Sequence, residues 1–263
     1  MPAIEVNGTT LHYRFDGPEK APVILLANSL ASDLNMWQAQ MPTLLGLGYR
    51  VLRYDSRGHG RSAVPEGPYS IELLTADAVA LLDALGLDRV TFMGCSKGGM
   101  VGQMLASSQG QRLHSLVLCD TAAHMPPAEV WNQRIDSVRS QGMEAVANTT
   151  IERWFTPAGR ARLGAEVAAI RQIILDTPDE GFCACCAAIR DMDQRDTIPS
   201  ISVPTLILVG EDDPSTPVSA AQFIHERIAG SRLVILKKAA HLANIEQADA
   251  FNAALHSFLS QKT

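Results

Sequence analysis

Short, continuous apolar runs recur along the chain and constrain its fold more than any other feature. Residues 23–27, 113–118 and 203–209 are mostly aliphatic, and each run is of strand length. Strands of a parallel sheet look like this because helices cover both of their faces. These runs alternate with segments of helical spacing, so the sequence predicts an α/β fold with a mostly parallel central sheet flanked by helices.

Further strands and helices are predicted between these runs. Asn7-Gly8 lies between two alternating segments and indicates a hairpin. The predicted strands are 3–6, 11–15, 23–27, 49–54, 90–93, 113–118, 203–209 and 232–236, and the predicted helices outside the insertion described next include 70–85, 96–106 and 248–259.

The region 124–195 breaks the alternation of strands and helices. It contains segments of helical spacing at 131–138, 143–154, 159–174 and 180–192, and no convincing strand. An all-helical insertion between two strands is typical of a cap over the edge of a sheet. We therefore predict one folded unit, with a core of residues 1–123 and 196–263 and a helical cap of residues 124–195.

Charge and cysteine content limit the expected partners. The chain has 22 basic and 28 acidic residues, so its net charge is −6, whereas nucleic acids and anionic membranes call for clustered cations. No apolar run approaches the roughly 18 residues of a membrane span. Five cysteines and an N-terminus without a secretory pattern favour reduced thiols in a cytoplasmic protein. We expect neither nucleic acid nor a membrane as partner. Assembly into a homo-oligomer is possible on these data.

Three of the cysteines, at 183, 185 and 186, could be taken for a metal site. They lack the C-x-x-C pairs and the neighbouring histidine that zinc favours. We expect small, buried or half-buried helix residues and no bound metal.

Residues 94–98, Gly-Cys-Ser-Lys-Gly, carry the clearest chemical signal. They follow a predicted strand and precede a helix, the setting in which G-x-S-x-G forms a nucleophile elbow. Side chains at Gly94 and Gly98 would collide with neighbouring backbone in such a turn. The turn would lift the Ser96 hydroxyl above the sheet and set the N–H of Lys97 at the positive end of a helix, where it can stabilise an oxyanion. The same pentapeptide also occurs as an ordinary glycine-rich turn.

A serine hydroxyl becomes nucleophilic only when a base accepts its proton, and the chain order expected here is serine, acid, histidine. His241 fits as the base because it follows the last predicted strand by a short loop. His59 and His124 lie in loops that could also approach the pocket.

The acid is expected in the loop after residues 203–209. Asp213, followed by Pro214, takes the usual position, with Asp212 as the alternative, and Glu211 is expected to face solvent. The acid would hold the histidine tautomer and stabilise the imidazolium.

A second oxyanion donor is expected after residues 23–27, where residues 28–30 are Asn-Ser-Leu. The N–H of Leu30 would act with that of Lys97, and one such donor contributes about 3–4 kcal/mol in the transition state. Asn28 and Ser29 could also cap the next helix, and both roles can hold.

These residues make the chain resemble an α/β-hydrolase and, within that superfamily, a 3-oxoadipate enol-lactonase. The stretches 54–62 and 94–98 are shared widely in the superfamily, whereas 28–37, 153–157 and 185–193 resemble the oxyanion loop and cap of the lactonases. The resemblance implies an α/β-hydrolase fold with an all-helical cap. It also implies that an enol-lactone is opened to 3-oxoadipate in aromatic-compound breakdown, through an acyl-enzyme on Ser96 and without a cofactor.

The small-molecule lactone carries a carboxylate, so we expect an anionic substrate and a cation in the pocket. Arg134 is the candidate, with Lys97 and Arg190 as alternatives, although each could be a solvated charge. Trp131 and Trp154 would line the pocket or pack within the cap.

The lactonases more often have a small aliphatic residue and a methionine where this chain has Cys95 and Lys97. The Lys97 side chain would either assist an anionic substrate or, as we expect, point away into solvent or a surface ion pair.

Two other functions stay open at this point. The first is a broad carboxylesterase or perhydrolase of the same fold, which fold and catalytic residues alone do not distinguish from a lactonase. The second is a non-catalytic ligand-binding protein, which would have no need of an intact Ser96, Asp213 and His241.

Overall fold

The structure, a computed structural model, describes residues 2–260 and has one eight-stranded sheet at its centre. Its order is β1-β2-β4-β3-β5-β6-β7-β8, where β1 to β8 are Ala3–Val6, Thr9–Asp16, Val23–Ala27, Arg50–Tyr54, Val90–Cys95, Leu113–Cys119, Thr205–Gly210 and Arg232–Leu236. The pairs β1–β2 and β2–β4 are antiparallel, and the other five pairs are parallel. The predicted α/β architecture is confirmed, with every strand within two residues of its predicted bounds.

Eleven α-helices accompany the sheet in the described residues. In chain order, α1 to α11 are Met41–Gly46, Ile71–Ala84, Lys97–Gln109, Ala128–Gln141, Glu144–Trp154, Pro157–Arg162, Gly164–Leu175, Asp179–Asp191, Val218–Arg227, Ala243–Glu246 and Ala248–Leu259. Short 3₁₀ helices lie at Leu34–Gln40, Gly110–Arg112 and Ile198–Ser200.

The sheet interior explains the continuous apolar runs. Every residue of β3, β5 and β7 is buried, because helices pack on both faces of these strands. Parallel strands end at the same edge, so the loops after β3, β5, β7 and β8 meet there. In open α/β sheets this carboxyl edge is where ligands bind.

Helices α4 to α8 lie between β6 and β7 in the chain. One expectation for this region is wrong: the single helix at 159–174 is two helices, because the backbone leaves the helical conformation at Leu163 (φ −109°, ψ 43°). At the base of the region, residues 124 and 193 form an isolated antiparallel bridge. The region is helical as expected, and its status as a separate cap stays a prediction.

The cysteines are packing residues in this fold. All five are free and buried, and the three at 183, 185 and 186 lie in α8. Within residues 2–260, no group of three or more His, Cys, Asp or Glu side chains is arranged to hold a metal ion. No helix in the same range is both long and apolar enough to cross a bilayer.

Candidate active site

Ser96 occupies a strained turn between β5 and α3. Its backbone has φ +53° and ψ −114°, a region that residues with a side chain rarely adopt. A Cβ on Gly94 would lie 2.2 Å from the carbonyl oxygen of Gly98, and a Cβ on Gly98 would lie 2.2 Å from that of Ala27. The two glycines therefore allow the turn that holds Ser96 at the carboxyl edge of the sheet.

Neighbouring strand ends hold the serine backbone in place. The N–H of Ser96 donates to Cys119 O at 2.9 Å, and its carbonyl accepts from Thr121 Oγ1 at 2.8 Å. Both partners belong to the end of β6 or the residues after it, so the sheet itself fixes the turn.

A cavity of about 260 Å³ lies between this edge of the sheet and the helical region. Asp213 lies outside it, in contact with the histidine, and Lys97 is absent from its wall. Six of the eight predicted site residues line it: Leu30, Ser96, Trp131, Arg134, Trp154 and His241.

Asp213 and His241 form a buried pair. His241 Nδ1 lies 2.8 Å from Asp213 Oδ2, and the two residues are 3% and 4% exposed. Within residues 2–260, neither Nε2 of His241 nor the Ser96 hydroxyl makes a hydrogen bond, and both residues line the cavity. The imidazole therefore has its carboxylate partner on one side and the cavity on the other.

The Asp213 carboxylate has further donors that the sequence analysis missed. Its Oδ1 accepts from the N–H groups of Ser215 (2.7 Å) and Thr216 (3.1 Å), and its Oδ2 accepts from Thr216 Oγ1 at 2.6 Å. Burial raises the pKa of Asp213, but the charge and hydrogen bond of His241 and the Thr216 bonds outweigh it, so the net pKa lies below its usual value. Asp followed closely by Ser and Thr is a turn pattern that could have indicated these bonds.

The competing acids and bases lie elsewhere. Glu211 and Asp212 are exposed. His124 pairs with Asp193 in the bridge at the base of the helical region. His59 is fully buried, and its Nε2 accepts from the N–H of Ala31 at 3.0 Å.

The loop after β3 presents Leu30 to the cavity. In the described part of the chain, the N–H of Ser29 donates to Met36 Sδ and that of Ala31 to His59, while the N–H of Leu30 has no acceptor. The N–H of Lys97, the first residue of α3, has no partner within its helix. Two N–H groups thus remain available near Ser96.

The alternative role of Asn28 and Ser29 as helix caps is wrong. Asp33 caps the following 3₁₀ helix, through a bond from the N–H of Asn35. Asn28 instead accepts from Trp37 Nε1 at 3.0 Å and donates to Tyr54 O at 2.8 Å, which braces the loop from below.

Both expectations for the Lys97 side chain are wrong. The residue is 1% exposed, it is absent from the cavity wall, and its Nζ donates to Ser56 Oγ. Burial lowers the pKa of Lys97, against the opposing charges of Cys185, Asp77 and Asp55. The cation therefore faces neither solvent nor the cavity, and its hydrogen-bond partner is Ser56.

Two arginines line the cavity beside the tryptophans. Arg134 and Arg153 are half-buried, and within residues 2–260 neither makes an ion pair or a hydrogen bond. Arg134 packs over the Trp131 ring, 4.8 Å from its centroid. Burial lowers the pKa of both, and with the added charge of Arg134 the pKa of Arg153 falls to about 10.

Arg153 was missed as a site residue because its position next to Trp154 in the sequence gives no sign of which way it points. The alternative cation Arg190 lies away from the cavity, paired with Asp191 and bonded to Asn132. Trp131 and Trp154 are buried and also line the cavity, and their contact with a substrate stays a prediction.

Another buried carboxyl lies behind the pair. Asp120 follows β6, is fully buried, and its Oδ1 accepts from the N–H of Gly210 at 2.8 Å. Its Oδ2 has no hydrogen-bond partner in the described residues. Burial, and then the charge of Asp213, raise the pKa of Asp120 well above its ordinary value.

The chain is similar to known proteins over most of its length. Residues 22–248 match the family model for the alpha/beta hydrolase fold. The 3-oxoadipate enol-lactonase 2 of Acinetobacter baylyi is 38% identical over 258 residues, which cover 98% of this chain and 96% of that protein.

Solved structures give the same result. The enol-lactonase from Burkholderia xenovorans LB400 is 42% identical, with a TM-score of 0.96 over 99% of this chain and 100% of that one. A thermophilic esterase from Thermogutta terrifontis is 29% identical, with a TM-score of 0.93 over 99% of each chain. These relatives are enzymes, which sets aside the non-catalytic alternative, and the predicted resemblance is confirmed. The chain belongs to the α/β-hydrolase family, as a hydrolase that resembles the 3-oxoadipate enol-lactonases.

Proposed function

We propose that the protein hydrolyses a carboxylated enol-lactone, 3-oxoadipate enol-lactone, through an acyl-enzyme on Ser96. One observation carries the proposal: the cavity that Ser96 and His241 line also holds two arginines without a carboxylate partner among residues 2–260. An unpaired guanidinium in a half-buried site is suited to bind a carboxylate by charge-assisted hydrogen bonds.

The first half of the reaction forms the acyl-enzyme. Nε2 of His241 accepts the proton of Ser96, and the serine oxygen attacks the lactone carbonyl. Asp213 holds the imidazole with its Nδ1–H toward the carboxylate and stabilises the imidazolium. The N–H groups of Leu30 and Lys97 bind the oxyanion. The ring C–O bond then breaks, and the leaving enolate oxygen takes the proton from the His241 imidazolium, which returns the histidine to its neutral form.

The second half releases the product. His241 takes a proton from water, the hydroxide attacks the ester carbonyl, and the bond to Ser96 Oγ breaks as the serine regains its proton. Hydrolysis of the acyl-enzyme creates a second carboxylate, and the enol released by ring opening tautomerises to a ketone. The absence of a Ser96–His241 hydrogen bond does not oppose this route, since such bonds often tighten only when substrate binds.

Arg134 and Arg153 would bind the carboxylate that the substrate already carries. They project from α4 and α5, so the helical region would act as a cap that selects the substrate while the core carries out the chemistry. The reaction would then be one step in the breakdown of aromatic compounds. The five free cysteines support a reducing compartment such as the cytoplasm.

A second candidate function is a carboxylesterase or perhydrolase for simple esters. It is favoured by the structural likeness to the Thermogutta terrifontis esterase. Its substrates would not need the two arginines.

A turnover comparison tests the proposal. The purified protein is given a carboxylated enol-lactone and, separately, p-nitrophenyl acetate, with Ser96→Ala as control. We expect kcat/KM to be at least about 100-fold higher for the lactone, the size of two modest charge-assisted contacts. Equal values, or a preference for the neutral ester, would favour the esterase.

A further inference from the structure

The backbone on each side of His241 is linked by hydrogen bonds to residues 154–156 of the helical region, on one side directly and on the other through the Glu246 side chain. On one side, the N–H of Ala240 donates to Glu246 Oε2 at 2.8 Å. On the other, the N–H of Leu242 donates to the carbonyl of Trp154 at 3.0 Å. The histidine is thus held between two peptide groups whose partners lie in or contact residues 154–156.

Glu246 makes the first of these attachments. Its side chain is 1% exposed, and its Oε1 accepts from the N–H of Thr156 at 3.0 Å and from the Thr156 hydroxyl. Ala240 and Thr156 are far apart in the chain. One buried carboxylate therefore links two distant segments, the loop that carries His241 and the start of α6. Within residues 2–260, the carboxylate makes no hydrogen bond to a side chain described above as catalytic or substrate-binding.

The surroundings of Glu246 are shaped to keep this carboxylate in place. A Cβ on Gly159 would lie 1.8 Å from Oε1 and 2.6 Å from Cδ of Glu246. Thr156 Oγ1 also accepts from the N–H of Gly159 at 3.0 Å, and Arg162 Nη2 donates to the carbonyl of Glu246 at 2.5 Å. These two bonds fix Thr156 and the Glu246 backbone, while the carboxylate itself accepts from Ala240 and Thr156. A buried carboxylate requires such donors, because an unpaired charge is costly away from water.

We propose that Glu246 is a positioning residue, whose carboxylate holds the backbone beside His241 against Thr156 and so keeps the imidazole aligned with Ser96. The inference rests on the proposed roles of Ser96 and His241. It adds that the start of α6 helps to hold the histidine loop in place. The same bonds would keep α6 fixed relative to that loop.

The glycine at 159 offers a test that removes no hydrogen-bonding group. Gly159→Ala places a methyl group where the Glu246 carboxylate lies, so the carboxylate must move. Gly164→Ala is the matched control, because a methyl group there has nothing within 4 Å. Glu246→Gln is the second variant, since its amide keeps one acceptor oxygen and puts a donor nitrogen in place of the other, so one of the bonds from Ala240 and Thr156 is lost.

The readouts are kcat and KM for the preferred ester or lactone, and the rate of labelling by a fluorophosphonate, which requires an activated serine but no particular acyl group. We expect Gly159→Ala and Glu246→Gln to lower kcat and the labelling rate by about 10- to 100-fold, the loss typical of a misplacement near 1 Å. KM should stay within about threefold, because the arginines are untouched. Gly164→Ala should match the wild type, and Tm identifies the folded variants.

Each outcome decides between two conclusions. Folded Gly159→Ala and Glu246→Gln proteins with wild-type kcat and labelling rate would overturn the positioning role while leaving the proposed function intact. An equal loss in Gly164→Ala, or a rise in KM without a fall in kcat, would also overturn it. A wild-type protein that the probe labels but that opens no lactone would overturn the substrate assignment alone. A wild-type protein that the probe does not label would overturn both.

Discussion

Nδ1 of His241 lies 2.8 Å from Oδ2 of Asp213, and the neighbouring Asp212 is exposed. Adjacent carboxylates in one loop thus have different surroundings. One is buried and bound by four donors, and the other is solvated. Only the first can orient an imidazole.

Replacing each carboxylate by its amide should show which of the two acts in catalysis. Asp213→Asn should lower kcat about 10⁴-fold, because the amide favours the wrong histidine tautomer. Asp212→Asn should stay within about twofold of the wild type, as exposed substitutions away from the site usually do. Steady-state turnover of the preferred substrate measures both, and equal losses would contradict the assignment of Asp213.

Removal of the serine hydroxyl should abolish acyl-enzyme formation. Ser96→Ala should lower kcat about 10⁶-fold, the scale found when a triad serine is lost. The fold should persist, since the turn depends on Gly94 and Gly98 and not on the hydroxyl. Intact-mass measurement after a substrate pulse should show an acyl adduct on the wild type alone. Retained turnover in the variant would refute the mechanism.

The two cavity arginines should control the preference for an anionic substrate. Arg134→Met and Arg153→Met should each raise KM for the carboxylated lactone about tenfold or more, since one hydrogen bond to a charged group contributes about 1.5–3 kcal/mol. KM for p-nitrophenyl acetate, which has no carboxylate, should not change. A similar rise in KM for both substrates would mean that the arginines support the fold of the cavity wall instead.

Lys97 should be replaceable, because its proposed contribution comes from the backbone N–H. Lys97→Met should keep kcat within about threefold, since the oxyanion donor remains. A pKa lowered by burial means that the folded protein binds this proton less tightly than the unfolded chain, so wild-type stability falls as the pH drops below 10.5. Lys97→Met has no ammonium group and therefore does not lose stability in this way.

Urea unfolding at pH 7 and 10 measures the effect of Lys97. We expect the stability gained by Lys97→Met to be larger at pH 7 than at pH 10. A collapse of kcat in a folded Lys97→Met protein would show that the ammonium itself takes part in the reaction.

Asp120 should affect stability with the opposite dependence on pH. Its raised pKa means that the folded protein keeps a proton that the unfolded chain releases above 3.8, so the wild type loses stability as the pH rises from there. Asp120→Asn keeps an acceptor for the N–H of Gly210 and has no such proton. The free energy of unfolding of the variant relative to the wild type should therefore increase between pH 5 and pH 8. An unchanged difference would show that Asp120 titrates normally.

Much of the fold could be predicted because its signals are local. A run such as 23–27 indicates a buried strand by its own composition, and Gly94 and Gly98 indicate a tight turn around Ser96 without reference to any other segment. The order of serine, acid and histidine follows from the order of the strands, since each side chain follows a strand that ends at the same edge.

Contacts between distant segments could not be predicted in this way. Lys97 looks like a surface residue in the sequence, yet it is buried and donates to Ser56, 41 residues away in the chain. Thr156 and Glu246 are 90 residues apart, and no pattern in either segment indicates that they meet. Arg153 lines the cavity only because α5 presents that side to Ser96.

The amino-acid sequence by itself determined the strands, the turn at Ser96 and the residue types of a hydrolase, because backbone sterics and apolar periodicity act over a few neighbouring residues. The tertiary structure alone decided which carboxylate reaches His241, which cations face the cavity and which carboxyl groups support the histidine loop. Those outcomes depend on burial and on partners from remote segments, which exist only once the helical region packs against the sheet.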